Sequence, residues 1–295
     1  MKHAIGAAHH QKTELTKKII PGAFILMWSS GAIFVELGLR YADPFIFLFL
    51  RLLLSAFIFW GVVLYMKTEL PATWREWGYV LFTGICMQAG YQIFYFLALD
   101  NHLSPGVLAI LLGAQPIITA IASKNHRQPL QWIGLFFGII GLMLVVADSI
   151  LISTVTIAGL ASALLSLFSI TIGTLLQKNI QISQPSNLAI QYGGAALLLF
   201  LFVLLFDQSL NWAPLFAVSL GWMVLVISAG ATFMFYHMVQ KGNLTNVTSL
   251  LYAVPPVTAV FDYLIFGHRL EMISILGMML IMIGLFLVNK EGRLV

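Results

Sequence analysis

Few side chains in this chain are able to do ionic chemistry within apolar sequence, and three stand out: Glu36, Arg51 and Asp262. A charge placed inside a bilayer costs roughly 2.5–3.5 kcal/mol on insertion scales, so each marks a function until its partner is known. A second group is uncharged. Gly84, Gln88, Tyr91, Gln92 and Tyr95 recur at spacings of three and four, which places them on one helix face. Rings and amides with polar tips suit a ligand that is partly apolar and partly polar. The alternative use of such a face is interhelical hydrogen bonding, worth only about 0.6 kcal/mol per bond. Later in the chain Ser228, Thr232 and Tyr236 form a similar row, with His237 beside it. Trp28, Gln115 and Tyr252, and the serines Ser162, Ser166 and Ser169, are further candidates for the same wall or for plain packing.

The elements that must position these residues are legible from composition. The chain is 60% hydrophobic and 9% charged, with a mean hydropathy of +0.95. A soluble domain carries about 25% charged residues. Apolar runs long enough to span a bilayer recur at about 19–40, 44–66, 76–98, 104–123, 131–149, 155–177, 186–206, 215–239, 243–266 and 272–289. Only helices and closed barrels satisfy the backbone in lipid. The expected fold is therefore an all-α integral membrane protein of ten transmembrane helices. Residues 1–18 are too polar to be a signal-peptide core and read as a cytoplasmic tail. Its His3, His9 and His10 lack the fixed spacing of a metal site, and no metal is expected. The single cysteine, Cys86, lies inside the third run and forms no intramolecular disulfide.

The two halves repeat. Leu103-Ser104, Gln115-Pro116, His126-Arg127, Gly134 and Gly141 are followed by Leu244-Thr245, Pro255-Pro256, His268-Arg269, Gly277 and Gly284. Tyr95 and Tyr236 each lie eight residues before the matching leucine. The expected units are 19–149 and 155–290, divided at 148–154. Five spans is an odd number, so the second unit starts on the opposite side, giving two inverted five-helix repeats around a central cavity. Prolines at mid-depth in spans four and nine free a backbone carbonyl and read as a ligand site or a hinge, the alternative being simple tolerance of proline in membrane helices. Gly134, Gly138 and Gly141 form a small-residue face for close packing, within a protomer or between two.

Charge gives the orientation. With the amino end inside, Lys2, Lys12, Lys17, Lys18, Lys67, Arg75, Lys124, Arg127, Lys178, Lys241, Lys290 and Arg293 are inside, against Arg40 and Arg269 outside. The net charge of +4 follows from this sidedness and implies no nucleic acid. Glu36 and Arg51 then share a depth below the outer surface, at 1.5 Å of rise per residue, and are expected to pair. The pair is either structural, a gate, or a site for a substrate carboxylate. Arg40, one turn on from Glu36, competes for it. Asp262 is either a coupling carboxyl or an interfacial residue among headgroups.

Trp28-Ser29-Ser30-Gly31, Pro44 with Arg51, Phe94-Tyr95-Phe96-Leu97-Ala98-Leu99, and Ser104-Pro105-Gly106-Val107-Leu108-Ala109 with Gln115-Pro116 resemble the ten-helix EamA-type members of the drug/metabolite transporter superfamily. The resemblance covers about residues 20–290. It implies spans one to four and six to nine around a cavity, with five and ten at the periphery. The chain departs from the family pattern after spans four and nine. Gly267-His268 and Asn125-His126 stand where many members carry Gly-Glu.

The expected activity is secondary transport of a small organic metabolite (an amino acid, amine or related compound) across the inner or plasma membrane by alternating access. There is no nucleotide-binding motif and no cofactor, so energy comes from a proton or ion gradient or from exchange. Trp28, Gln88, Tyr91, Gln92, Tyr95, Gln115, Thr232, Tyr236 and Tyr252 are the expected substrate residues; Glu36, Arg51 and Asp262 are the gating or coupling residues. A passive channel-like facilitator is the second reading. An intramembrane enzyme acting on lipid is the third, against which stands the lack of a nucleophile pair, a metal cluster or paired catalytic carboxylates. The partners are substrate and bilayer, and the protein is a monomer or homodimer. Cysteines introduced at 100–102 or 148–153 are expected to react with an impermeant reagent from outside. Labelling from inside only would contradict the inverted arrangement.

Overall fold

The computed structural model describes residues 22–115, 117–118, 129–151, 156–235 and 253–290. Every expected interval holds helix. These are α1 (Gly22–Leu39), α2 (Pro44–Met66), α3 (Trp74–Asp100), α4 (Pro105–Leu112) and α5 (Pro129–Leu151). The second half gives α6 (Ile157–Gln177), α7 (Gln184–Leu205), α8 (Pro214–Phe235), α9 (Val254–Phe266) and α10 (Met272–Lys290). By length and composition α1, α2, α3, α6, α7 and α8 are able to cross a membrane, and Pro129–Val145, Val254–Phe266 and Met272–Gly284 are shorter apolar stretches. Phe57, Leu64, Leu197, Leu204 and Phe286 point outward and are exposed. So broad an apolar exterior fits lipid as its solvent.

Local chemistry sets the helix ends. Pro44, Pro105 and Pro214 open their helices, where a missing N–H is no loss. Thr73 and Glu76 form a reciprocal capping box at the start of α3. Ser104 Oγ accepts from the Val107 N–H, and Thr156 Oγ1 accepts from the Gly159 N–H. Gly267 closes α9 in the left-handed region, at φ 76°.

The loops gather at two ends of the bundle. At one end, Asn211 N–H donates to Tyr41 O at 2.7 Å and Asp43 N–H to Ser209 O at 3.0 Å, around an isolated antiparallel bridge between Ala42 and Leu210. There too, Thr156 Oγ1 donates to Asn101 O at 2.8 Å. At the other end, Ser186 Oγ donates to Glu69 O at 2.7 Å and lies 2.8 Å from Thr68 Oγ1. These two groupings coincide with the two sets of loops that the charge pattern separates.

Helices pack in pairs: α2 with α7, α3 with α6, α4 with α9 and α5 with α10. The last pair is set by glycine. A Cβ at Gly141 would lie 2.5 Å from the Gly277 carbonyl oxygen, and one at Gly284 would lie 2.5 Å from the Gly134 carbonyl oxygen. The partner number falls as the residue number rises, so α5 and α10 run antiparallel. The small-residue face read from the sequence is therefore occupied within the chain. Backbones this close leave no room for a side chain, and overpacking costs about 1–3 kcal/mol. Gly141→Ala is expected to lower the thermal midpoint in detergent by several degrees. Gly61→Ala, with nothing within 4 Å of its Cβ, is expected to leave it unchanged or slightly raised.

Candidate functional site

A polar chain crosses the bundle between α2, α3 and α8. Arg51, on α2, is 3% exposed. Its Nη1 donates to Gln92 Oε1 at 2.6 Å and its Nε to Ser228 Oγ at 3.3 Å. Gln92 Nε2 in turn donates to Gln88 Oε1 at 3.3 Å. Tyr91 and Tyr95 lie next to this row, their rings edge to face at 5.7 Å, within electrostatic range of the guanidinium. The face expected from the spacing thus looks into the protein, as two neighbouring rows: buried Gln88 and Gln92, and half-buried Tyr91 and Tyr95.

The backbone explains the splitting. Residues Ile85–Gly90 of α3 and Trp222–Ala231 of α8 are π-helical. A π segment leaves carbonyls off the regular ladder, and such segments are frequent at functional sites. Here side chains repair the ladder. Ser169 Oγ donates to Cys86 O at 2.8 Å, Ser166 Oγ to Tyr91 O at 3.0 Å, and Thr232 Oγ1 to Ile227 O at 3.0 Å. Ser166, Ser169 and Thr232 are therefore engaged with backbone. The two segments fall at matching places: Tyr95 and Tyr236 are 141 residues apart, and so are Ile85 and Val226. Gln115 Nε2 donates to Thr174 Oγ1 at 2.9 Å, tying the end of the α4 region to α6. The helix breaks at Gly113, whose Cβ would sit 2.8 Å from Pro255 Cγ of α9. Trp28 packs with Phe24 and Phe235, centroids at 5.4 and 5.8 Å. Tyr236 and Tyr252, with Pro116 and His237, lie outside the described residues.

The expected Glu36–Arg51 ion pair is not formed. Glu36 Oε1 faces Arg40 Nη2 at 3.9 Å, the competitor one turn on. The two side chains face different helices: Arg51 turns toward α3 and α8, while Glu36 turns toward α9. There it joins a cluster that the sequence did not disclose. Carboxylate oxygens of Glu36 and Asp262 and a ring nitrogen of His268 lie within 4.8 Å of one another. Asp262 is 1% exposed, which removes the headgroup reading. Its Oδ1 is 2.8 Å from His268 Nδ1, and its Oδ2 accepts from the Gly106 N–H at 2.8 Å. His268 stacks on Phe266 at 5.6 Å, and Arg40 lies over the same ring at 5.0 Å. The one available signal was His268 in the place of the family's acidic residue. Asp262 finds it because the left-handed Gly267 turns the chain back.

The comparisons agree with this architecture. The model of the "EamA-like transporter family" matches residues 22–147 and again 157–290. An "Uncharacterized transporter" of Archaeoglobus fulgidus is 23% identical over 275 residues, covering 90% of this chain and 95% of its own. The "Uncharacterized transporter YvbV" of Bacillus subtilis is 23% identical over 279 residues, covering 91% and 90%. A "WAT1-related protein" of Arabidopsis thaliana, described as chloroplastic, is 22% identical over 286 residues, covering 90% and 68%. A solved crystal structure aligns at a TM-score of 0.66 with 16% identity, covering 93% of this chain and 96% of that one. With nearly its whole length matched in two consecutive repeats, the chain belongs to the EamA-like transporter family.

Proposed function

We propose that this protein is a secondary transporter of a small organic metabolite, working by alternating access across the inner or plasma membrane with both termini in the cytoplasm. The observation that carries the reading is the inward polar chain Arg51–Gln92–Gln88 beside Tyr91 and Tyr95, built on a family of membrane transporters. A lipid-embedded bundle gains little from turning five such groups inward unless something is bound there. Ten spans in two inverted repeats are supported by exchange of contacts. Replacing 134 by 277 and 141 by 284 turns the Gly134–Gly284 approach into the Gly277–Gly141 approach. The matched π segments support the same relation. Rocking of one half against the other would be centred on the Gly113–Pro255 crossing.

Gln88, Tyr91, Gln92 and Tyr95 are the proposed substrate residues of the first half; Trp28, Gln115, Thr232, Tyr236 and Tyr252 complete the proposed set. Gln115 acts through its tie to α6, and Thr232 through the π segment of its own helix. Glu36 and Asp262 are the proposed coupling or gating groups. With His268 and Arg40 they join the outer end of α1 to α9 and, through Gly106, to the start of α4. Such a cluster, holding two carboxylates, an imidazole and a guanidinium, is able to gain or lose a proton as the outer ends of these helices part.

Two measurements test this reading in proteoliposomes loaded by counterflow from a metabolite panel. Tyr91→Ala and Gln88→Ala are expected to lower uptake about tenfold or more while leaving a monodisperse, folded protein. Uptake at the wild-type rate in both would remove the proposed site. Glu36→Gln is expected to abolish accumulation driven by an inward pH gradient while sparing exchange. Unchanged accumulation would remove Glu36 from coupling.

A further inference from the structure

The guanidinium of Arg51 has no counter-ion within the described structure. We infer that Arg51 is the anchor for a carboxylate, so that the transported compound is a small organic anion; this deepens the transporter reading and rests on it.

Among the described residues the charge is unmatched. The chain has 11 acidic residues. Glu36 and Asp262, the two taken from the sequence as gating or coupling carboxylates, are both engaged at the cluster with His268 and Arg40. No carboxylate among the described residues is within ion-pairing distance of Arg51, whose side chain meets only the neutral acceptors Gln92 Oε1 and Ser228 Oγ. A buried cation paired only with neutral dipoles is costly, and intramembrane charges usually pair with one another. Tyr192 on α7, buried near the guanidinium, stands where the repeat would place a second copy of Arg51, so symmetry supplies no partner either.

Geometry indicates where the missing charge belongs. A guanidinium carries five N–H donors. Nε spends one on Ser228 and Nη1 spends one on Gln92. One N–H of Nη1 and both of Nη2 remain, a pair of adjacent nitrogens that matches the two oxygens of a carboxylate. Nη2 makes no hydrogen bond among the described residues, yet it is not among the fully enclosed atoms left unsatisfied. The Tyr91 and Tyr95 hydroxyls share both properties. Two hydroxyls within electrostatic range, and the two-nitrogen fork itself, thus remain available. Gln92 and Ser228 hold the fork in place from α3 and α8, one from each half of the chain. An amine has no anionic partner at this point, and a carboxylate has a complete one.

The test uses purified full-length protein in detergent and does not require transport. Three probes share a body and differ in head group: 3-phenylpropionate, 3-phenylpropanol and 3-phenylpropylamine, supplemented by a panel of short aliphatic and hydroxy monocarboxylates. Thermal midpoints are recorded at constant ionic strength. A ligand that binds only the folded state raises the midpoint. The expected result is that carboxylates raise it and their alcohol and amine analogues do not. Arg51→Gln is expected to weaken the carboxylate response about tenfold to a hundredfold in concentration. Arg51→Lys keeps the charge without the fork and is expected to retain the preference at reduced strength. It carries the test if Arg51→Gln fails to fold. Equal stabilisation by alcohol or amine, no response to any carboxylate, or an undiminished carboxylate response in both Arg51 variants would overturn the inference. Counterflow of a neutral or cationic compound alongside such a result would leave the transporter reading intact. Carboxylate binding without counterflow of any compound would instead leave the anchor intact and overturn transport.

Discussion

Lipid offers no hydrogen bonds, and that one constraint organises the molecule. Each polar group within the spans must find a partner inside the protein. Most of the inward hydroxyls do so on backbone: Ser55, Thr83, Thr171 and Thr174 donate to the carbonyl one turn back on their own helix. Ser166, Ser169 and Thr258 reach a carbonyl on a neighbouring helix. These bonds tie α6 to α3 and α9 to α1 at the places where the backbone departs from regular helix or crosses closely. Against that economy, the groups left with spare donors are conspicuous. Among the described residues Arg51 keeps spare donors, and the hydroxyls of Tyr91 and Tyr95 within its electrostatic range make no hydrogen bond.

The two ends of the same problem are handled differently. Deep in the bundle, a cation is held by neutral amide and hydroxyl groups. At one end, two carboxylates are held by an imidazole, a guanidinium and a backbone N–H. The first arrangement leaves a charge for something to match. The second is nearly self-contained and joins three helices whose ends would have to separate for a cavity to open outward. On the proposed reading these are the substrate position and the outer latch, and the glycine-packed α5–α10 pair is a scaffold beside them. Its backbone contacts at Gly134, Gly141, Gly277 and Gly284 leave little freedom to slide.

Much of this was legible in the residues. Hydropathy located helix in all ten intervals because lipid-facing surface demands long apolar runs. The spacing of Gln88, Tyr91, Gln92 and Tyr95 placed them inside because amides and phenols facing lipid would be unsatisfied. What was not legible was azimuth. Counting residues at a fixed rise gives Glu36 and Arg51 one depth, and depth is all that it provides. Which way each points depends on how α1 and α2 are rotated in the bundle, and on the π segments of α3 and α8, which shift the phase of the face beyond them. The Asp262–His268 contact was hidden for a related reason. It depends on the positive φ of Gly267, one residue that reverses the direction of the chain.

On the proposed reading, the Arg51–Tyr91–Tyr95 region is reached in turn from each side of the membrane. That access is tested most directly by single cysteines at Tyr91 and Tyr95 in a Cys86→Ser background, probed in sealed vesicles of both orientations with a membrane-impermeant thiol reagent. The account predicts labelling at these positions from either side, protected by a bound substrate from both. Labelling by a lipid-soluble reagent alone, or from one side under every condition, would contradict it.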